Sequence, residues 1–333
     1  MKKNKVAVVT GGAGFIGSHM VDLLIKKNFC VNVIDDLSGG NLDNLKHHFK
    51  NKKFKFIKKD LCKLNANHPF FLRCDYVFHF AGKGDIVPSI ENPIKYLDAN
   101  IMGTAKVLEA AKKASVKKFI YSASSSCYGM ASTPTSEKNI INPLYPYAMS
   151  KYIGEKLCFH WHKLYKLPVN SIRIFNAYGP RVKTTGVYGA VFGVFFKQKL
   201  ENKAFTIVGN GNQKRDFVYV TDVVDAFFRA SQIKNSGEIF NLGTGKPNSI
   251  NYLVKILGGR KKYIPKRPGE PNITCANPKK IKKILKWQPK VKFEDGVKVM
   301  VSDIKRWKTA PLWTPDLIKK ATKSWFNYMK NIK

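Results

Sequence analysis

Short apolar runs rich in β-branched residues alternate along the chain with segments whose apolar residues recur at helical spacing. Seven of these runs predict strands, at Val6–Val9, Val31–Ile34, Phe54–Ile57, Tyr76–Phe80, Lys118–Ser122, Val169–Phe175 and Glu238–Leu242. Between them, helices are predicted at Phe15–Lys27, Met102–Ala114 and Tyr147–Lys163. Because strands that alternate with helices form parallel sheets joined by crossovers, the pattern predicts an α/β fold with a doubly wound parallel sheet of about seven strands.

The pattern of the sequence changes after Phe175, where loop-rich and Pro-rich stretches replace the regular alternation of predicted strands and helices. A length of 333 residues also exceeds what one hydrophobic core usually supports. We therefore expect residues 1–175 to form a first domain and residues 176–333 mainly to form a smaller C-terminal lobe. The strand predicted at Glu238–Leu242 indicates that residues 216–245 return to the first domain.

Basic residues strongly outnumber acidic ones, with 59 Lys and Arg against 22 Asp and Glu and a formal net charge of +37. Such a charge is compatible with a nucleic-acid partner. However, only eight of the basic residues are Arg, and the lysines are spread over almost every segment. We therefore favour a lysine-rich composition over nucleic-acid binding. The positive field would still attract a small anionic ligand.

Neither a membrane span nor a secretion signal is predicted. The sequence has no uncharged apolar stretch of 18 or more residues, and its basic start is followed only by the short apolar run Val6–Val9 before the glycines. Six cysteines stand without C-x-x-C pairs or His/Cys clusters at metal spacing, which favours free thiols over disulfides or a metal site. These features predict a cytoplasmic protein without membrane contact or bound metal.

A glycine-rich loop joins the first predicted strand to the first helix, with Gly11, Gly14 and Gly17 in a G-x-x-G-x-x-G pattern. Glycines there allow backbone N–H groups to approach a pyrophosphate at the positive end of the helix. Asp35 ends the second strand 18 residues after Gly17, where it can accept hydrogen bonds from an adenosine ribose, although a plain turn residue would also fit. No Arg follows Asp35 to receive a 2′-phosphate, so NAD is favoured over NADP.

Tyr147 and Lys151 stand one turn apart on the same face of a predicted helix. A neighbouring ammonium, together with a positively charged nicotinamide, would favour the phenolate and make Tyr147 a base at neutral pH. Upstream, the serine-rich stretch Tyr121–Gly129 leaves the fifth strand at the carboxyl end of the sheet, where ligands of such folds bind. A turn without chemistry remains the alternative for part of this stretch, Ser125 above all.

Further motifs follow in order along almost the entire chain. They are His79-Phe80-Ala81-Gly82, the segment 100–104 that begins with Asn100, the segment Arg173–Arg181, Arg215–Val218 and Arg267–Pro271. Together with the glycine loop and the Tyr/Lys pair, they resemble the extended short-chain dehydrogenase/reductase family, and within it the nucleotide-sugar epimerases of the UDP-glucose/UDP-N-acetylglucosamine 4-epimerase type. The resemblance implies a Rossmann fold, catalytic use of NAD, a UDP-sugar substrate oxidised reversibly at C4, and a homodimer formed through a four-helix bundle.

The resemblance also implies roles for individual residues at matching positions, and it makes Ser124, Tyr147 and Lys151 the catalytic set. The residues expected to bind the cofactor are Gly11, Gly14, Phe15, Ile16, Gly17, Asp35, Asp36, Asp60, Leu61, Phe80, Ala81, Gly82, Asn100, Ser122, Tyr147, Lys151 and Ile174. The residues expected to hold the nucleotide sugar are Ser124, Ser126, Asn176, Arg215, Arg267 and Thr274. The two arginines are expected on the diphosphate, because planar guanidinium groups suit phosphate oxygens.

The sequence leaves the sugar open. Related 4,6-dehydratases carry an acidic pair directly after the residue that matches Ser124, and related decarboxylases a Glu two positions after it, whereas this chain has Ser125 and Ser126. A UDP-glucuronate 4-epimerase, or another nucleotide-sugar dehydratase or reductase, is the alternative, and an intact catalytic set disfavours a non-catalytic NAD sensor. Thr274 stands where plain-hexose epimerases often carry a bulky Tyr, which predicts room for an N-acetyl group. The stretch Val187–Phe195, where family members contact the nucleotide base, matches no pattern.

Overall fold

Strands and helices alternate through the N-terminal half of the structure, a computed structural model that describes residues 4–183 and 191–330. The strands are β1 (Val6–Thr10), β2 (Cys30–Asp35), β3 (Phe54–Lys58), β4 (Tyr76–His79), β5 (Lys118–Ser124), β6 (Val169–Ile174), β7 (Asn176–Tyr178), β8 (Phe205–Val208), β9 (Lys214–Arg215), β10 (Phe217–Tyr219), β11 (Glu238–Leu242), β12 (Asn248–Ser249) and β13 (Lys261–Ile264). The α-helices are α1 (Phe15–Lys26), α2 (Ile86–Glu91), α3 (Pro93–Leu97), α4 (Gly103–Lys113), α5 (Pro146–Tyr165), α6 (Val191–Leu200), α7 (Val220–Gln232), α8 (Ile250–Leu257), α9 (Lys279–Leu285), α10 (Phe293–Ser302), α11 (Pro315–Ala321) and α12 (Lys323–Met329).

Seven strands form one parallel sheet in the order β11-β6-β5-β4-β1-β2-β3. They are the seven predicted strands, with ends that differ by at most two residues. The predicted doubly wound α/β fold is therefore confirmed. The winding reverses direction between β1 and β4, and ligands of such folds bind in the crevice at the carboxyl ends of the strands at that point.

Helices cover both faces of the sheet. On one face, Met20 and Leu24 of α1 pack with Phe227 of α7, and on the other Val107 of α4 packs with Cys158 of α5. Strands that lie between two helical layers are buried on both sides, which explains why they stand out as unbroken apolar runs. None of the helices in the described ranges combines the length and apolar character needed to cross a membrane.

The three predicted helices correspond to α1, α4 and α5, with one local difference. Met102, predicted to begin the second of them, instead ends a π-helical turn, Asp98–Met102, that leads into α4. Asn100 lies at the centre of this turn. A π-helical turn shifts the side chains that follow it relative to a regular helix, and such turns are frequent at functional sites.

A second apolar cluster lies in the C-terminal part of the chain, around the strand pairs β7/β10 and β8/β13. Phe192, Phe217 and Phe293 pack there against Tyr178. The strand β11 pairs with β6 at the edge of the large sheet, and α7 packs against α1. The division of the chain into residues 1–175 and 176–333 stays a prediction. Trp287, which follows residue 176, packs into the apolar cluster of the large sheet.

Candidate active site

A cleft of about 690 Å³ opens at the carboxyl ends of the large sheet, beside the point where the winding reverses. Its walls come from the loops that follow β1 to β6. The volume lies within the range of roughly 300–1,000 Å³ that is typical of small-molecule sites. Every residue that the sequence assigns to the cofactor lines this cleft except Asn100.

The glycine loop forms one end of the cleft and is tightly packed. Gly11 has a φ of +68°, and a Cβ there would lie 2.6 Å from the backbone nitrogen of Ala81, while a Cβ at Gly17 would fall on the carbonyl oxygen of Gly11. Gly14 is the N-cap of α1, and no side chain in the described part of the protein caps this helix. The first backbone N–H groups of α1 therefore face the cleft at the positive end of the helix dipole, an arrangement suited to an anionic group.

Asp35 lies at the end of β2, where its carboxylate is only 6% exposed. It accepts hydrogen bonds from the backbone N–H groups of Ala13 (2.9 Å) and Leu37 (2.8 Å), which fix its orientation at the cleft wall. Burial raises the pKa of this carboxyl, and the two backbone donors oppose the rise. A carboxylate oxygen retains lone pairs for further donors, so Asp35 can also accept bonds from hydroxyl groups in the cleft.

Ser124, Tyr147 and Lys151 meet in the middle of the cleft, as the sequence leads us to expect. Ser124 ends β5, whereas Tyr147 and Lys151 lie on successive turns at the start of α5. The Lys151 ammonium is buried and lies 4.5 Å above the ring of Tyr121, so an aromatic face and the cleft share its charge. The three side chains thus bring a hydroxyl, a phenol and an ammonium to one place.

In the protein chain by itself, burial sets the direction of the pKa shifts of this pair. Burial raises the pKa of the Tyr147 phenol, Asp85 adds to the rise, and a hydrogen bond with the Ser124 side chain opposes it. Burial also lowers the pKa of the Lys151 ammonium to about 8. The chain alone therefore does not hold Tyr147 as a phenolate, because desolvation outweighs the neighbouring groups. Stabilising the phenolate needs a further positive charge in the cleft.

Asn100 does not line the cleft but supports the residues that do. It is fully buried, and its Nδ2 donates to Ser150 Oγ (2.8 Å) on α5 and to the carbonyl of Lys83 (3.1 Å) in the loop after β4. Its Oδ1 accepts from the Lys83 backbone N–H at 2.8 Å.

A Cβ at Gly154 would meet the hydroxyl of Tyr121, so the absence of a side chain there allows α5 to lie close to the sheet.

A buried ion pair fixes α5 to the sheet one turn beyond Lys151. Glu155 (1% exposed) accepts from Arg173 (3% exposed) of β6 through Nε and Nη2, with a shortest distance of 2.5 Å, and from the Ser171 hydroxyl at 2.7 Å. Arg173 also donates to the Tyr128 hydroxyl (2.6 Å), which in turn donates to Asn241 of β11 (2.8 Å). The catalytic helix is therefore held by a network that reaches the edge strand of the sheet.

Apart from Ser124, which lines the cleft, the residues expected to hold the nucleotide sugar do not form its wall. Thr274 Oγ1 donates to Asn176 Oδ1 at 2.9 Å. Arg215 donates to Glu270 Oε1 at 2.7 Å, and Arg267 Nε lies 3.9 Å from Glu270 Oε2. The structure thus brings the two arginines to a single carboxylate that the sequence does not assign, although Glu270 lies within the Arg267–Pro271 motif.

Two further residues join the site without a clear signal in the sequence. Asp85, half-buried in the loop after β4, lines the cleft, and its charge adds to the rise that burial causes in the pKa values of Tyr147 and Tyr96. Tyr145 stacks on Tyr147 with ring centroids 6.3 Å apart, and its hydroxyl interacts with the Ser126 side chain. Their positions depend on the path of the loop after β4 and on the start of α5. In the sequence, only their nearness to the motifs named above could have indicated these two residues.

One cluster of metal-type ligands occurs among the described residues, away from the cleft. The Nε2 atoms of His47 and His48 both lie within hydrogen-bond distance of Asp22 Oδ1, at 2.8 and 2.7 Å. The other carboxylate oxygen pairs with Arg181 Nη1 at 2.8 Å. Hydrogen bonds and this ion pair already satisfy the carboxylate.

The stretch 187–195, considered above for the nucleotide base, lies partly outside the described residues.

Three proteins of known activity are similar to this chain over nearly its whole length. A UDP-glucose 4-epimerase of Mycolicibacterium smegmatis is 35% identical over 301 residues, which cover 87% of this chain and 95% of that protein. The solved structure of a UDP-N-acetylglucosamine 4-epimerase from Methanobrevibacter ruminantium M1, in complex with UDP-N-acetylmuramic acid, has a TM-score of 0.85 and 32% identity, and the match covers 92% of this chain and 98% of that one. A UDP-glucuronic acid 4-epimerase from Bacillus cereus, in complex with UDP-glucuronic acid and NAD, has a TM-score of 0.84 and 34% identity, with 90% and 99% covered.

The family assignment rests on a match that is longer than any single motif. The sequence model of the GDP-mannose 4,6 dehydratase family matches residues 8–300. This range includes the glycine loop, the catalytic helix and both arginines. The resemblance inferred from the motifs is confirmed: the chain belongs to the GDP-mannose 4,6 dehydratase family of extended short-chain dehydrogenases/reductases.

Proposed function

We propose that this chain is an NAD-dependent 4-epimerase of a UDP-hexose or UDP-N-acetylhexosamine, an isomerase that oxidises C4 reversibly to a 4-keto sugar. The observation that carries the proposal is the convergence of Ser124, Tyr147 and Lys151 on a cleft whose other end is the glycine loop. The three compared proteins are all UDP-sugar 4-epimerases, which supports the same reaction.

The glycine-loop end of the cleft fits NAD. The uncapped first turn of α1 suits the pyrophosphate, and the oriented carboxylate of Asp35 suits ribose hydroxyls. When bound, NAD would take up and return the hydride of C4, and its positive nicotinamide would supply the charge that favours the Tyr147 phenolate. The similarity to a structure crystallised with NAD supports this choice of cofactor.

Tyr147 acts as the base that takes the proton from the C4 hydroxyl and gives it back after the keto sugar has presented its other face. Ser124 holds the phenolic oxygen and the sugar hydroxyl in one hydrogen-bonded arrangement. The Lys151 ammonium, 4.5 Å from the centre of the Tyr121 ring, supplies a positive charge in the same cleft that favours the phenolate. General-base catalysis of this kind typically contributes a factor of about 10²–10⁴ to the rate.

Arg215 and Arg267 hold the sugar diphosphate, because their guanidinium groups offer paired donors to phosphate oxygens. Glu270 keeps both arginines oriented. Its Oε2 is buried and has no hydrogen-bond partner within the described part of the chain. This oxygen can therefore accept a hydrogen bond from a hydroxyl of the bound nucleotide.

A 4,6-dehydratase or a UDP-glucuronate 4-epimerase is the alternative. The position of Asp85 is the reason to test for dehydratase activity. The positions after Ser124 are serines and offer no acid, but Asp85 brings a carboxylate into the cleft near Tyr147. An acid at the sugar could assist loss of a hydroxyl. The same negative charge disfavours a substrate with a carboxylate at C6.

We also infer that the protein acts in the cytoplasm as a homodimer, with α4 and α5 pairing with their copies as a four-helix bundle. Large apolar side chains on the outer surface of these helices support the arrangement: Met149, Leu164 and Tyr165 of α5 are 42%, 57% and 44% exposed. An apolar helix face gains stability when a second copy covers it. A strictly monomeric mass at micromolar concentration would contradict this assembly.

A panel of UDP-glucose, UDP-N-acetylglucosamine and UDP-glucuronate tests the proposed function. Each sugar is incubated with the protein and NAD, and the products are separated by chromatography. We expect the 4-epimers of the first two, without accumulation of absorbance at about 340 nm beyond one enzyme equivalent, because the cofactor is regenerated in each turnover. A 4-keto-6-deoxy product would assign the protein to the dehydratases, and turnover of UDP-glucuronate alone would select the second alternative.

A further inference from the structure

The last two helices, α11 and α12, lie beyond residue 300, where the match to the family model ends. The second of them, α12, nevertheless reaches the site, since it packs against α2, the helix that follows Asp85 in the loop after β4. Trp325 and Met329 of α12 form a small apolar cluster with Val87. The Ser324 hydroxyl adds a hydrogen bond to Glu91 at 2.8 Å.

Trp325 is the residue of α12 that contacts the substrate end of the site. It is 4% exposed, and its indole N–H donates to the carbonyl of Pro268 at 2.6 Å. The guanidinium carbon of Arg267 lies 5.8 Å from the ring centroid, within the range of a cation–π contact. On its other side the indole packs on Tyr145, with centroids 6.2 Å apart.

The loop 267–271 fits closely against α12. Gly269 has a φ of +69°, and a Cβ at this position would lie 2.9 Å from the methyl group of Met329. The loop is therefore held by a backbone hydrogen bond, by an aromatic face under its arginine and by close packing. Its other polar anchor is Glu270, which pairs with Arg215.

We propose that Trp325 is a positioning residue for the diphosphate subsite. It fixes the loop 267–271 so that Arg267, and through Glu270 also Arg215, face the substrate. By packing on Tyr145, which stacks on Tyr147, it joins this subsite to the catalytic centre. The inference rests on the proposed function, since it concerns the arginines assigned there to the diphosphate. It adds a site residue from a segment outside the family match.

The test compares Trp325→Leu and Trp325→Phe with the wild-type protein, using the full chain loaded with NAD. Phenylalanine keeps an aromatic face but removes the N–H donor, whereas leucine removes both. We expect the Kd of UDP, measured by calorimetry, and the KM of the UDP-sugar to rise about tenfold for Leu and about threefold for Phe, with kcat within about twofold of the wild type. Tyr328→Ala is the matched control, because Tyr328 lies on the same helix and is 68% exposed.

A double-mutant cycle separates positioning from general destabilisation. In an Arg267→Met background the guanidinium is gone and only the path through Glu270 to Arg215 is left, so Trp325→Leu should weaken UDP binding by about threefold instead of about tenfold. Melting temperature and retained NAD report on folding. If Trp325→Leu fails to fold, Trp325→Phe in the same two backgrounds decides the question by the same criterion.

The inference is overturned if folded Trp325 variants bind UDP as tightly as the wild type, or if the losses from Trp325 and Arg267 substitutions are additive. A fall in kcat with unchanged KM would also overturn it, since that result would place Trp325 in the chemical step. A wild-type protein that binds NAD but neither binds UDP nor turns over any UDP-sugar would instead remove the proposed function itself, and the two failures are therefore distinguishable.

Discussion

The two ends of the candidate site are built in opposite ways. At the cofactor end, the loop 11–17 is continuous in sequence and presents backbone N–H groups, and close packing leaves no space for a side chain at Gly11 or Gly17. At the substrate end, charged side chains come from distant segments: Arg215 meets Glu270 across 55 residues, and Thr274 meets Asn176 across 98. The first end depends on backbone shape and the second on the completed fold. Substitutions should therefore affect the first through sterics and the second through lost contacts.

The largest effect is expected where the two ends meet. Tyr147→Phe removes one oxygen and leaves both ends intact, so kcat should fall by about 10²–10⁴ while NAD and UDP still bind. Single-turnover kinetics, together with calorimetry for the two ligands, measure these quantities. Near-normal turnover in this variant would remove Tyr147 from the role of base.

The second-largest effect is expected at the substrate end and concerns the choice of sugar. Thr274→Tyr adds bulk beside Asn176 and should lower kcat/KM for UDP-N-acetylglucosamine by about a hundredfold while sparing UDP-glucose, because only the larger substituent would clash. Thr274→Ser is the control, since it keeps a hydroxyl for the bond to Asn176 Oδ1. If both activities fall together, or neither changes, Thr274 does not select the sugar.

A smaller effect tests the cofactor end. Gly11→Ala places a Cβ against the backbone of Ala81 at a positive φ, a strain of roughly 1–3 kcal/mol that should weaken NAD binding about tenfold or more. The Kd of UDP should stay unchanged, because the substrate end does not depend on this loop. At Gly39, where a Cβ would meet nothing within 4 Å, alanine serves as the control. Equal losses at Gly11 and Gly39 would show that backbone shape is not what this end requires.

The smallest effect is a shift in pH dependence. A neighbouring carboxylate disfavours a phenolate, so Asp85→Asn should lower the pKa of Tyr147 and move the rise of kcat/KM with pH toward lower pH. Glu91→Gln, an exposed change on the helix that follows Asp85, should leave the profile in place. A shift of the Asp85→Asn profile toward higher pH would contradict the sign of this interaction.

Almost all residues expected at the cofactor line the cleft, since they belong to short motifs whose local geometry follows from strand, turn and helix patterns. Their contacts with NAD stay a prediction. All seven strands of the sheet are predicted for the same reason. Asn100 shows the limit: a π-helical turn carries it behind the cleft wall, and no spacing rule signals such a turn. Asp85 and Trp325 are missed because their importance comes from tertiary neighbours, which a pattern along the chain does not contain.

The raised pKa of Tyr147 in the chain by itself also depends on tertiary packing. The spacing of Tyr147 and Lys151 indicates a favourable charge, but the degree of burial depends on how α5 packs against the sheet. Desolvation then exceeds the local interaction. Sequence reasoning identifies the groups that react, whereas their titration requires the packed structure.

The edge strand β11 limits how parts of this protein can be exchanged with those of its relatives. After β6 the chain leaves the large sheet, and it returns to the sheet only with α7 and β11, whose Asn241 holds Tyr128 and, through it, Arg173. A chimaera joined at residue 175 would combine a sheet from one parent with the edge strand and polar contacts of another. A graft of a new sugar-binding lobe therefore has to replace segments on either side of residues 220–242 and keep this returning segment with its own sheet.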